Sequence, residues 1–177
     1  MAAAMSVSMS GGDELKKKLA ALSEGLREGA LRSAGYAGAQ IIQQRAISNA
    51  PYFTGTVAQG HPPPGTLKNS IVVKRVVDEC GDFKQSYIIT VRRGPVGGDH
   101  DAYYAHWVEY GHIYRAAGDK LTGSASVKAA KRAMHISMGG KVVPAHPFMR
   151  PAFLSTRDAA MRAIEERIGR YITLAGA

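Results

Sequence analysis

Three side chains in one short stretch, His106, Glu109 and His112, are of the types that hold a metal ion. On a continuous helix His106 and Glu109 are neighbours at i and i+3, and zinc accepts imidazole nitrogen and carboxylate oxygen. The spacing is not that of the HExxH helix, in which two histidines four apart share a face with a glutamate between them. A glycine at 111 also ends the helix before His112 is reached, so the stretch reads against a metal centre. The single cysteine, Cys80, excludes an internal disulfide, and its neighbours Asp78 and Glu79 disfavour the thiolate that a nucleophile requires. A serine hydrolase would need its nucleophile on a Gly-x-Ser-x-Gly elbow, and none is present; phosphate-loop and dinucleotide fingerprints are likewise missing. The sequence therefore reads as that of a non-enzyme, with no catalytic residue, no metal and no cofactor.

The same residues make better sense as architecture. Tyr104–Gly111, YAHWVEYG, reads as one short amphipathic helix in which Tyr104, Trp107 and Val108 share a face. Gly111 supplies the left-handed conformation that stops it. A second stretch, Pro144–Phe153, has prolines at 144, 147 and 151. Pro144 and Pro147 hold the chain extended, and Pro151 suits the first turn of a following helix, where a missing N–H costs nothing. Phe148 and Phe153 are then placed as core anchors. Glu109, beside a helix end in a chain rich in arginine, reads as an ion-pair partner.

These two stretches, with Ala50-Pro51, Thr54-Gly55 and Gly65–Ile71 (GTLKNSI), resemble the small neck, or tail-completion, proteins of long-tailed, lambda-like bacteriophages. The matching pieces are spread over residues 50 to 155, and their order and pairing carry the likeness. The departure is the segment His112–Val143, which is brief in shorter relatives. The resemblance implies a helix before a short sheet and a proline–phenylalanine turn feeding a C-terminal helix. It implies structural-motif roles for Tyr104, Trp107, Glu109, Gly111, Pro147, Phe148, Arg150 and Pro151, with Arg150 as the partner of Glu109.

The remaining elements follow from pattern. A chain of 177 residues with 45% hydrophobic content is enough for one domain with a real core. Residues 1–12, small and uncharged, read as a flexible arm, solvated or ordered against a neighbouring subunit, and residues 13–177 as a single domain. Leu15, Leu19, Leu22 and Leu26 make the stripe of an amphipathic helix running from Asp13 to about Asn49. The stripe continues less cleanly through Ala30, Ala34, Ala37 and Ile41. Glycines at 25, 29, 35 and 38 in that helix call for close approach by another backbone, within the chain by the simplest reading. Pro51 ends it, and Pro62-Pro63-Pro64 stiffen the loop that follows. Ile71–Val77 and Tyr87–Arg93 read as antiparallel strands about a turn at Gly81-Asp82. A last helix runs from Arg150 to about Leu174, burying Ala152, Phe153, Ala160, Ile164, Ile168 and Tyr171. The predicted fold is α+β: long N- and C-terminal helices on a small antiparallel sheet of three to four strands.

Charge bears on partners. The net charge is +9. In His112–Lys141 six bases, Arg115, Lys120, Lys128, Lys131, Arg132 and Lys141, face one acid, Asp119, and Ser126–Met134 is a candidate short helix. A solvated loop is the plain reading of such a run; a surface for a partner or for DNA, formed by Arg115, Lys120, Lys128, Lys131 and Arg132, is the functional one. No helix-turn-helix, zinc-finger or stacking signature accompanies the charge, so any duplex contact would be to the backbone, without base readout. No apolar run reaches the length of a membrane span, and no signal peptide is expected.

The resemblance thus implies a structural virion protein of the head–tail junction, assembled in the host cytoplasm. It would form a ring, six-fold on the family pattern, between head-completion or connector proteins and the tail tube or its terminator, with a lumen open to DNA. Two alternatives stand beside it: a tail terminator capping the tube, and a basic DNA-binding module with no place in a virion. Like charges repeated around a ring need an anionic counterpart, either DNA in the lumen or an acidic neighbouring ring, and a long, glycine-bearing loop favours a protein.

Overall fold

The N-terminal leucine stripe forms not one helix but two. A computed structural model describes residues 13–20, 23–54, 62–92, 102–113, 124–137 and 142–175. Helix α1 spans Asp13–Ala20 and α2 spans Glu24–Asn49. Between them Ser23 is extended, with φ −59° and ψ 153°, and only its carbonyl joins α2, accepting from the Arg27 N–H at 2.9 Å. Ser23 is thus an N-cap by position, a role serine suits because its backbone is readily non-helical there. Short α3 (Thr66–Asn69) leads into β1 (Ile71–Arg75), which pairs with β2 (Tyr87–Val91). Beyond them lie α4 (Ala105–Tyr110), β3 (His112–Ile113), α5 (Ala125–Ser137), β4 (Val142–Val143) and α6 (Met149–Leu174).

The chain divides into two compact units: Met1–Ala102 with Phe148–Ala177, and Tyr103–Pro147. In the first, α2 and α6 run antiparallel. Asn49 Nδ2 donates to the Phe148 carbonyl at one end, and Ala30 and Ala34 meet Ile168 and Ile172 at the other. Small residues make the approach close. A Cβ placed on Gly38 would come 2.7 Å from the Ile164 side chain and 3.2 Å from the Ala160 carbonyl oxygen. The glycine's role as a site of close approach within the chain holds here, and also at Gly35, which lies under the Tyr87 ring. Gly25 and Gly29 face open space. The buried side of α2 is Ala30, Ala34, Gly38, Ala39, Ile42 and Ala46, a stripe that steps by four and leaves Ala37 and Ile41 half-buried. Leu26 is exposed, and the side chains of Leu15, Leu19 and Leu22 lie outside the described residues.

The strand register puts Ile71, Val73, Arg75, Tyr87, Ile89 and Val91 on one face. Three bonds tie the hairpin to α2: Gln43 Nε2 to the Ile71 carbonyl (2.8 Å), the Tyr87 hydroxyl to the Arg32 carbonyl (2.8 Å), and Arg75 to Glu28 (3.3 Å). The α+β class holds, but the single sheet of three to four strands does not. The described strands form two separate antiparallel pairs, β1–β2 and β3–β4. The first strand also stops at Arg75, because Val77–Glu79 turns into a 3₁₀ coil.

The proline–phenylalanine turn behaves as expected at its centre. Residues 144–148 carry no regular structure, Pro151 sits in the first turn of α6, and Phe148 is 1% exposed. Phe153 is only half-buried: it lines an open groove of about 680 Å³ with Leu31, Ile42, Tyr87, Ile89 and Ile164. Of the stripe expected on α6, Ala152, Ala160 and Ile168 are buried, joined by Ile172, while Ile164 and Tyr171 are half-buried.

Two measurements check this packing. Phe148→Ala is expected to cost about 3–5 kcal/mol, the usual loss for a fully buried phenyl ring; denaturant unfolding with an unchanged midpoint would contradict it. Tyr87→Phe removes one hydrogen bond, worth about 0.5–1.5 kcal/mol. Burial raises the Tyr87 phenol above its usual 10.0, and Arg75 and Arg32 offset this only in part. A raised folded-state value means that the stabilisation is complete below pH 10 and fades as pH climbs through that value. The stability gap between parent and Tyr87→Phe should therefore narrow above pH 10, and a gap that does not change with pH would contradict the assignment.

Candidate functional site

The second unit holds the first of the stretches that stand out in the sequence and the start of the other, Pro144–Pro147. Helix α4 opens with the Trp107 and Val108 N–H groups donating to the Tyr104 carbonyl, at 2.9 and 3.1 Å. It closes at Gly111, whose φ of 71° and ψ of 169° fall in a region open to glycine rather than in the left-handed helical region expected from sequence. The reason lies across the chain. A Cβ on Gly111 would stand 2.8 Å from the Val143 carbonyl oxygen and 2.9 Å from the Ala145 nitrogen. Beside it, His112 pairs with Val143 and Ile113 with Val142, and the His146 N–H donates to the Val108 carbonyl at 2.8 Å. The long insertion is thereby closed at its base by β3 and β4, and the proline-rich stretch is laced to α4.

Helix α4 buries none of its residues. Tyr104 and Val108 are half-buried, but Trp107, expected on the same face, is 46% exposed. It belongs to an aromatic ridge. Tyr103 meets Tyr104 and Trp107 edge to face, with centroids 5.7 and 5.6 Å apart, and Trp107 also lies against His112. His106 packs on Tyr110. The histidines weighed as ligands are thus engaged with aromatic rings. Among the described residues no group of three or more His, Cys, Asp or Glu side chains could hold a metal. Glu109 is half-buried in the second unit, and Arg150 is exposed at the start of α6 in the first. Rings that are stiff, half exposed and held by one another are what interface centres are enriched in. Sequence reasoning put Trp107 on one face with Tyr104 and Val108, and spacing alone does not tell a core stripe from a surface one.

The basic insertion contains the helix expected there, longer by a few residues: α5, Ala125–Ser137 against Ser126–Met134. Ser124 starts it, its carbonyl accepting from the Lys128 N–H at 2.9 Å. Lys128 is exposed, as are Val127, Ala129 and Ala130. The helical backbone puts positions 128, 131 and 132 on one side. Arg115 and Lys120 lie outside the described residues, and of Lys131 and Arg132 the backbone is described. No described helix is long and apolar enough to cross a membrane.

A family model described as "Bacteriophage HK97-gp10, putative tail-component" matches residues 13–111. The chain belongs to that family. The match begins with α1 and stops at Gly111, the last residue before the insertion. It makes the chain a structural bacteriophage protein of the tail class, in keeping with the resemblance found in its motifs. No curated protein and no solved structure matches it.

The clasp around Gly111 is open to a direct check. Gly111→Ala meets both a backbone region costing about 1–3 kcal/mol for other residues and the Val143 oxygen. The His146 amide should then exchange with solvent markedly faster than in the parent; unaltered protection would show that the contact is not required.

Proposed function

We propose that this tail component works as a neck, or tail-completion, protein: a closed ring, six-fold on the family pattern, standing between the head connector and the tail tube. The observation that carries the reading is the clasped motif unit on a chain of this family. Tyr103, just before α4, and Trp107 and Tyr110 on it are about half exposed and ordered by their own ring contacts. Such a ridge gains by being covered, and a protein that works by contacts above, below and beside itself has partners to cover it. The net charge of +9 supports a lumen past which duplex DNA slides, since passage calls for weak attraction to phosphates without base recognition. Capping of the tail tube by a terminator ring is the nearest alternative.

Native mass measurement of the purified protein over a range of concentrations tests the ring, with a single closed multiple of the chain mass as the expected result. A phage lacking the protein should leave filled heads and finished tails unjoined. Tails of uncontrolled length would favour the terminator reading, and a chain that stays monomeric while binding duplex DNA in a salt-sensitive way would favour the non-virion one.

A further inference from the structure

A ring that repeats α5 around a circle gathers like charge, and some anionic surface must face it. The described residues include a surface of opposite character, the turn between β1 and β2. Gly81 and Lys84 exchange both backbone hydrogen bonds, at 2.8 and 3.1 Å, which leaves Asp82 and Phe83 at the tip. Asp78, Glu79 and Asp82 are all exposed there, three acids within five residues, with Lys84 the one base in the turn. Glu79 accepts from the Ser86 hydroxyl at 2.8 Å, and the Arg27 guanidinium lies 4.7 Å from the centre of the Phe83 ring. Val77 is 66% and Phe83 44% exposed. The turn therefore presents two apolar side chains framed by carboxylates.

Helix α5 carries the complement. Positions 128, 131 and 132 form its basic side, and the exposed Val127 borders that side. We propose that the acidic β1–β2 turn of one copy docks on the basic side of α5 in the next copy, head to tail, and that this contact builds the ring. The two surfaces belong to different parts of one chain, which is the condition for a contact that closes into a ring rather than stopping at a dimer. Each copy then neutralises its neighbour's helix, with Val77 and Phe83 covered against Val127 beside the charges. A duplex would satisfy the charge but would leave the apolar pair uncovered. The inference rests on the ring reading above.

Charge exchange tests it. One variant carries Lys128→Glu, Lys131→Glu and Arg132→Glu; the other carries Asp78→Lys and Asp82→Lys, which leaves the bond from Ser86 to Glu79 in place. Each alone sets like charges across the contact, so the ring-sized species of the parent should be lost, or need at least tenfold more protein to form. Mixed one to one, every contact again joins opposite charges, and an alternating ring should return. Loss in each variant with recovery on mixing is the expected result, and recovery also shows that both variants are folded. Rings that persist in both variants, or no recovery on mixing, would overturn the contact while leaving the ring reading intact. So would an unchanged mass together with loss of duplex binding in the α5 variant, which would assign that helix to DNA. A parent chain that stays monomeric at every concentration would overturn the ring itself.

Discussion

The close approach of α2 to α6 is the constraint on which the first unit depends. With Gly38 under Ile164, and Ala30, Ala34, Ala152 and Ala160 buried along the seam, the two backbones come nearer than larger side chains would allow. Neither helix is a strong one by composition, and glycines cost each about 1 kcal/mol relative to alanine. Their stability comes from the seam, not from propensity. With the seam made, α2 also offers the Arg32 carbonyl and the Gln43 amide to the hairpin, so a two-stranded sheet that would be marginal alone is held on a helix.

The second unit is organised differently. It holds its shape by backbone contacts at Gly111, two short strands and one bond from His146 to Val108, with little buried apolar surface among its described residues. Such a unit spends its aromatic side chains outward. Tyr103, Trp107 and Tyr110 stiffen a ledge instead of filling a core, and Lys128 on α5 is exposed. Both features fit a protein whose work is contact with neighbours, and the family to which the chain belongs is one of tail components.

Much of this was legible in the sequence because it is set by local chemistry. Gly111 after an apolar turn, Pro151 at a helix start and Phe148 between a proline and a methionine each mark one backbone event, and each event occurs where it was read. The family resemblance carried by the 104–111 and 144–153 stretches agrees with the family match over 13–111. What escaped is set by distance along the chain. Strands β3 and β4 are two residues each and pair across the whole insertion, so no periodicity announces them. The break at Ser23 had a signal, a serine followed by an acid, which the continuing leucine stripe outweighed. Phe153 was placed in the core and Trp107 on a shared face with Tyr104 and Val108, and only the fold reveals that one lines a groove and the other forms a ridge.

Locating the chain in the particle tests the account most directly. Purified phage carrying a small, dense tag on this protein can be imaged and averaged about the tail axis. The account predicts tag density in one ring at the junction of head and tail, with as many tags as the ring has copies. Tag density along the tube, at the tail tip or absent from the particle would contradict it.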